Sequence, residues 1–160
     1  MRKHFVKALA TVSLLIATMI VTTGHAQAQS LATPIKVRIP FEFVIGNRTL
    51  AAGEYYIRRA EIFSGDQMVA VSSVDGRTHL FRLTNAVQAL DPKTRATLVF
   101  HRYGTQNFLA QVWPDGGTRG RELPKSRTER ELERQAREVG RVGKKPSPVT
   151  EIVSITAEGQ

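Results

Sequence analysis

Residues 35–57, IKVRIPFEFVIGNRTLAAGEYYI, form the most regularly patterned stretch of the chain. Apolar residues occupy the odd positions of residues 35–45, and the charged residues of this segment lie between them. Successive side chains of a β-strand point to opposite faces, so the alternation predicts a strand with one buried face. Pro40 interrupts it and cannot donate a ladder hydrogen bond, which indicates an edge position or a bulge.

The second half of this stretch predicts the return of the chain. Gly46-Asn47 begins the connection, and Tyr55 starts another apolar run. Gly53 is expected to take a backbone conformation that other residues resist. The stretch is therefore interpreted as the opening hairpin of a β fold, although a ligand pocket beside Asn47 is an alternative.

Similar short β-prone segments continue as far as Trp113. Turn residues separate them, including Asp75-Gly76, a hairpin signal. The predicted strands are residues 35–45, 55–62, 67–74, 79–83, 97–103 and 107–113. About six short strands predict an all-β core, either a small antiparallel β-sandwich or an open barrel. Residues 85–90 are expected to be a helical turn or a loop.

The composition changes after residue 118. Residues 119–145 are expected to form a basic linker and a charged helix, because Glu and Arg are good helix formers and dominate residues 127–139. Ser126 or Thr128 can cap the helix, and Gly140 can end it. The tail, residues 146–160, is expected to add an edge strand or to stay disordered.

The N-terminus has the pattern of a signal peptide. A basic start is followed by an apolar run over residues 8–21 and by Ala26-Gln27-Ala28, the small-x-small pattern read by signal peptidase. The run is shorter than the roughly 20 residues that a spanning helix needs. We therefore expect cleavage after Ala28, a secreted or periplasmic mature protein, and a single β domain over residues 29–118.

The chain contains no cysteine. This absence excludes disulfides, thiolate nucleophiles, cysteine metal ligands and lipoprotein anchoring. No second apolar stretch is long enough to span a membrane, so the sequence predicts no transmembrane segment in the mature chain.

The basic charge is concentrated near the C-terminus. The formal net charge is +9, and residues 119–145 carry ten basic and five acidic residues. This asymmetry suggests an anionic envelope component or another envelope protein as partner, whereas nucleic acid is not expected for an exported protein. The candidate contacts with a polyanion or a partner are Arg119, Arg121, Lys125, Arg127, Arg130, Arg134 and Arg137. Glutamates alternate with them, which weakens the prediction and favours a solvated helix.

The residues that could take part in catalysis or bind a metal are scattered along the sequence. His79 and His101 lie in different predicted strands without metal-ligand spacing. Ser64-Gly65-Asp66 lacks the G-x-S-x-G pattern of a nucleophile elbow, and the glycines of residues 116–120 lack the phosphate-binding pattern of a P-loop. We therefore predict no enzymatic activity, no catalytic or metal-binding residues and no cofactor.

Aromatic residues in the strands are mostly expected to fill the core. Tyr103 and Trp113 are the exceptions, because both lie next to turns and are amphipathic. They are the candidate ligand contacts.

Residues 39–55, IPFEFVIGNRTLAAGEY, resemble a motif of short exported bacterial proteins of unassigned function. In those proteins a signal peptide precedes the segment PF-x-F-x-V-G-N-x-x-L-P-A-G-x-Y and a β domain. Ala51 stands where they usually have proline. The resemblance implies secretion and a β fold, and it implies no catalytic residue.

The leading hypothesis is an exported, non-enzymatic β-domain protein with a structural or adaptor role in the cell envelope, interacting through its charged C-terminal helix. The alternative is a carrier of a small apolar ligand or lipid in a hollow β core. A hydrolase or metal-dependent enzyme using His79 or His101 is the third hypothesis.

Overall fold

A computed structural model describes residues 34–60, 68–142 and 151–157 of the chain. The predicted signal peptide lies outside the described residues. Within them, the chain forms eleven strands and one helix. In chain order these are β1 (Ile35–Ile39), β2 (Phe43–Ile45), β3 (Arg48–Leu50), β4 (Gly53–Ala60), β5 (Met68–Ser73), β6 (His79–Leu83), β7 (Asn85–Gln88), β8 (Thr97–Tyr103), β9 (Gln106–Trp113), β10 (Arg119–Glu122), α1 (Arg127–Val142) and β11 (Glu151–Thr156).

The described strands form two sheets. Sheet A has the strand order β1-β4-β5-β6, and sheet B has the order β11-β8-β9-β10-β7. The hairpin of β2 and β3 joins sheet B where β2 pairs with β9, and this pair is parallel whereas the others are antiparallel. The sheets do not close into a barrel. The prediction of an all-β core with an appended helix is confirmed, although the core has more strands than the six expected.

The opening segment is two strands instead of one. β1 pairs with β4 in sheet A, with Ile35 opposite Ile57, whereas β2 belongs to sheet B. The chain crosses between the sheets over residues 40–42, where Pro40 cannot continue the ladder. The odd-numbered apolar residues nevertheless face the same core on both sides of the break. The alternation of apolar residues in the sequence therefore gives no sign that the strand is divided.

The backbone conformation that favours glycine is found at Gly46 and not at Gly53. Gly46 has a φ of 60° in the two-residue turn between β2 and β3, a conformation that favours glycine. Gly53 has no positive φ, so the expectation for that residue was wrong. The turn before β4 is instead closed by Tyr55, whose hydroxyl donates to the carbonyl of Ala51 at 2.7 Å.

One hydrophobic core lies between the two sheets. Phe100 of β8 is fully buried and makes edge-to-face contacts with Phe41 and Phe43, whose ring centroids lie 5.2 and 5.7 Å from its own. Residues of both sheets contribute to it: Ile35, Val37, Ile39, Tyr55, Ile57, Val69 and Val71 from sheet A, and Phe43, Ile45, Leu50, Leu98, Phe100, Leu109 and Val112 from sheet B and its hairpin. Val153 and Ile155 of β11 pack against this core.

Two segments differ from the expectations. Residues 85–90 were expected to be a helical turn or a loop, but Asn85–Gln88 is β7 and pairs with β10. Residues 119–145 were expected to begin as a linker, but Arg119–Glu122 is β10 and also pairs with β9. Both strands are four residues long and lack a regular alternation of apolar residues, and backbone pairing with each other and with β9 makes them strands. In the tail, Glu151–Thr156 lies beside β8 at the edge of sheet B.

Candidate functional site

The exposed side of α1 carries a row of arginines. An α-helix has about 3.6 residues per turn, so residues three and four positions apart share a face. Arg127, Arg130, Arg134 and Arg137 follow this spacing, and all four are exposed. We call them the arginine stripe. Two glutamates, Glu131 and Glu138, are also exposed and lie beside Arg134.

The opposite side of α1 rests on sheet B. Leu132 and Ala136 are partly buried there, and Glu129 is buried although it is charged in water at neutral pH. Among the strands, α1 contacts β8. The apolar stripe is narrow, so polar contacts must supplement it in holding the helix to the sheet.

A hydrogen-bonded pair fastens the first turn of α1 to β8. Nδ1 of His101 and Oε1 of Glu129 are 2.8 Å apart, and both side chains are largely buried. Ser126 caps the helix, because its hydroxyl accepts the backbone N–H of Glu129 at 3.1 Å. The Glu129 carboxylate would reach back to the cap in a capping box, but here it reaches His101 instead.

Lys125 and Glu133 make a second polar contact beside the first. Nζ of Lys125 donates to Oε1 of Glu133 at 2.9 Å. Burial alone would lower the pKa of Lys125, but the hydrogen bond with Glu133 and the proximity of Tyr103 outweigh it and raise the pKa. The same hydrogen bond is the first cause that lowers the pKa of Glu133. Both groups are therefore charged at neutral pH.

The buried hydroxyl of Tyr103 lies near Lys125. Within the described residues it has no hydrogen-bond partner. A buried hydroxyl without a partner costs about 1–3 kcal/mol. We call the His101–Glu129 pair, the Lys125–Glu133 pair and the Tyr103 hydroxyl the polar layer. It positions the helix on the sheet at some energetic cost.

Two arginines of the stripe have carboxylate partners on the helix itself. Arg134 contacts Glu131 at 2.6 Å, and Arg137 contacts Glu133 at 2.7 Å. The hydrogen bond from Arg134 is the first cause that lowers the pKa of Glu131. The arginines of these pairs are solvent-exposed, and ion pairs between exposed groups contribute little to stability. The guanidinium groups can therefore exchange these partners for a stronger anion at little cost.

The other predicted contact residues lie elsewhere. Arg119 and Arg121 belong to β10, opposite Gln88 and Ala86 of β7, and not to the helix. Lys125 precedes the helix and turns towards Glu133. The structure therefore brings together four of the seven basic residues on one helix face and separates the other three from it.

Tyr103 and Trp113, the candidate ligand contacts, are both packed. Tyr103 is 7% exposed and meets Phe108 edge-on at 5.8 Å. Trp113 is 5% exposed, and a Cβ added to Gly120 would lie 2.6 Å from its ring. The expectation that these two rings escape packing is thus corrected. The indole N–H of Trp113 donates to Oε1 of Gln111 at 3.0 Å.

The two histidines do not converge. His79 of β6 lies within 3.1 Å of the Ser72 hydroxyl in sheet A, whereas His101 pairs with Glu129 on sheet B. Within the part of the chain that the structure describes, no group of three or more histidine, aspartate or glutamate residues could hold a metal ion. Sequence reasoning missed the His101–Glu129 pair, because its members are 28 residues apart and meet only when the helix docks.

Among the described helices, none has the length and apolar character needed to cross a membrane. No family model matches the chain, and neither a curated protein nor a solved structure is significantly similar to it.

Proposed function

We propose that the chain is an exported, non-enzymatic binding protein that uses the arginine stripe of α1 to attach its β core to an anionic surface of the cell envelope. Its role is structural or that of an adaptor. The observation that carries the proposal is the row of four exposed arginines on the side of α1 opposite Leu132 and Ala136. Glu129 is buried against His101, Glu133 pairs with Lys125 and Arg137, and Glu131 and Glu138 are exposed beside the row.

The row of arginines matters because a flat anionic surface meets only one side of a helix. Arginines on the hidden side would not reach the surface, and an exposed glutamate beside the row, such as Glu138, weakens the attraction. Guanidinium groups also suit phosphate and carboxylate, since they offer several N–H donors in a fixed fork. Glu131 lies next to the stripe and already accepts a hydrogen bond from Arg134, so its charge is compensated.

The expected affinity follows from the number of arginines. A basic residue near an anionic lipid surface contributes about 1 kcal/mol. Four such residues give at most about 4 kcal/mol, which corresponds to a dissociation constant of about 1 mM or weaker. One helix therefore provides weak, salt-sensitive attachment, and stable attachment needs more than one copy of the stripe.

The polar layer supports the same function by fixing the orientation of the stripe. An isolated helix of 16 residues is marginal in water. The His101–Glu129 pair and the Ser126 cap hold its first turn on the sheet, so the arginines point away from the core before any surface is met.

The test uses substitutions, because truncation would damage the fold. Removing the chain from residue 119 onward would delete β10, β11 and Leu123, which belongs to the core. The test variant replaces Arg127, Arg130, Arg134 and Arg137 with Gln. The matched control replaces four exposed arginines of the β core with Gln and loses the same charge: Arg38, Arg48, Arg58 and Arg77.

Binding is measured by sedimentation with phosphatidylglycerol–phosphatidylcholine vesicles. We expect the wild type and the control to sediment with them at low salt, and the stripe variant to stay in solution. Vesicles of phosphatidylcholine alone should bind none of the three. Equal loss of binding in both variants would reduce the effect to net charge and overturn the proposal. Binding that persists in the stripe variant would overturn it as well.

A further inference from the structure

Two arginines lie on the inner face of sheet A, at one end of the core. Arg59 of β4 and Arg82 of β6 are both opposite Val69 of β5, which is fully buried in the core. Directly opposed residues of neighbouring strands share a face of the sheet, so both arginines face inwards. They are two strands apart, which places their backbones about 10 Å from each other.

The guanidinium of Arg82 joins this end of sheet A to the β2–β3 hairpin. Its Nη2 donates to the carbonyl of Ile45 at 3.3 Å, and a Cβ added to Gly46 would lie 2.7 Å from its Nε. Arg48 is opposite Ile45 in the hairpin and therefore lies on the same side of it, although Arg48 is exposed. The turn thereby brings a third arginine to this end. We call Arg48, Arg59 and Arg82 the arginine cluster.

Arg82 is a partly buried charge without a counter-charge. Its hydrogen bonds go to two carbonyls, those of Ile45 and, at 3.4 Å, of Phe81, and its Nε is buried without a partner. Within the described ranges neither Arg82 nor Arg48 forms an ion pair. A buried charge without an opposite charge is costly. Lys125, which is also partly buried, has a carboxylate partner.

Arg59 adds a further positive charge to the cluster. It has an interaction of its own, so its contribution here is its charge and not a free donor. Guanidinium groups stay charged in proteins, and like charges at one end of a core repel each other. An anion held between them would relieve this repulsion and accept hydrogen bonds from Arg48 and Arg82.

We propose that the arginine cluster binds a terminal phosphate group. A phosphate monoester carries a charge of about −1.5 to −2 at neutral pH and has three strong acceptor oxygens. A carboxylate carries a single charge and has two oxygens, so phosphate matches three guanidinium groups better. The planar fork of a guanidinium also binds phosphate oxygens in pairs. Inorganic phosphate and a small phosphorylated molecule both present this group.

The phosphate site does not depend on the proposed function. The arginine stripe lies on α1, which contacts β8 of sheet B, whereas the cluster is formed by sheet A and the β2–β3 hairpin. The cluster is therefore tested with a soluble ligand and without any anionic surface.

Isothermal titration calorimetry of the purified chain with inorganic phosphate at low ionic strength measures the binding. Arg82→Gln removes the guanidinium that lacks a counter-charge. Arg48→Gln removes an exposed member of the cluster, so it tests the site even if Arg82→Gln does not fold by circular dichroism. The matched control is Arg58→Gln, an exposed arginine opposite Ala70 on the outer face of β4. The variant that lacks the arginine stripe is the second control.

We expect the wild type and both controls to bind a single phosphate with equal affinity. The two cluster variants should bind it about tenfold more weakly or worse, because each loses a hydrogen bond to a charged group. Glycerol 3-phosphate should bind as well, and the tighter of the two ligands indicates whether the group comes from free phosphate or from a phosphorylated molecule. Acetate should bind more weakly than either.

Three results would overturn the proposal. The first is a wild type that binds neither phosphate ligand. The second is acetate binding as tight as phosphate binding, which would show a site for anions in general. The third is an equal loss of phosphate binding in Arg48→Gln and in either control, which would reduce the effect to net charge.

Discussion

The two outer faces of the sandwich are built from the same alternation of side chains but are used differently. The outer face of sheet B buries large residues, among them Tyr103, Phe108 and Trp113, and α1 lies against it at β8. The outer face of sheet A leaves Tyr56 and Phe81 exposed. An apolar side chain on an outer face therefore stabilises the fold on one sheet and is available for contact on the other.

The two outer faces also differ in the charged side chains that lie beside their apolar residues. On sheet B the helix lies against β8 and carries a row of exposed arginines, with Glu131 and Glu138 beside them. On sheet A no described segment covers Tyr56 or Phe81, and these rings lie among exposed charged residues such as Lys36, Arg38 and Arg58. The same β core thereby offers two chemically different surfaces on opposite sides.

The largest expected effect compares one aromatic residue from each outer face. Trp113→Ala should lower the free energy of unfolding by about 3–5 kcal/mol, because it removes a buried ring and leaves a cavity. Tyr56→Ala should cost about 1 kcal/mol or less, because that side chain is partly exposed. Urea denaturation of both variants measures the difference. Equal losses would show that the faces do not differ as described.

The next effect tests the close packing of the covered face. Gly120→Ala should cost about 1–3 kcal/mol, because the added Cβ would lie 2.6 Å from the Trp113 ring. Gly53→Ala is the control, since its Cβ would meet the Tyr55 ring at an ordinary 3.6 Å. We expect the control to lie within about 0.5 kcal/mol of the wild type by thermal denaturation. A neutral Gly120→Ala would contradict the packing.

Glu129→Gln tests how the helix is held on the covered face. The variant keeps a hydrogen-bond acceptor for His101 but loses the carboxylate charge, so a loss of about 1 kcal/mol is expected. Hydrogen exchange should show faster exchange in α1, with sheet A unchanged. The control is Glu138→Gln, an exposed glutamate of the same helix. If both variants exchange alike, the buried pair does not fasten the helix.

The smallest effect is a dependence of helix docking on pH. Glu133 has an ordinary pKa of 4.5, which is lowered in the fold first by its hydrogen bond with Lys125. A lowered folded pKa stabilises the fold above the unfolded value, and the stabilisation is lost as the pH falls through the folded value. Lys125 has the opposite sign: its raised pKa stabilises the fold below 10.5, and this is lost only as the pH rises through the folded value.

Circular dichroism of α1 should therefore change on acidification below pH 4.5. Glu133→Gln should weaken this change, because the titrating carboxylate is gone. An identical acid transition in the variant would assign the change to other carboxylates.

The core could be predicted from sequence because a two-residue period is visible without any tertiary information. Residues 35–45 gave the correct buried face even though Pro40 divides them between two sheets, since the crossing leaves the odd positions facing the core. β7 and β10 could not be predicted, because neither shows a regular alternation of apolar residues and their pairing with each other and with β9 is tertiary.

The site was only partly predictable for a related reason. The arginines were found by composition, but their alignment in one exposed row depends on the helical period and on which side of the helix docks. A helical projection of residues 127–137 would have revealed the stripe. The His101–Glu129 pair depends on where the helix meets β8, which no local pattern encodes.

The most direct test of the central claim asks which face of the molecule meets an anionic surface. Single thiols are introduced at Glu138, which is exposed on α1, and at Arg77, which is exposed in the turn between β5 and β6. Their rates of reaction with a neutral maleimide are measured with and without phosphatidylglycerol vesicles. The account predicts that the vesicles slow the reaction of the thiol on α1 and leave the thiol at residue 77 unchanged. Equal slowing at both positions, or slowing at residue 77 alone, would contradict it.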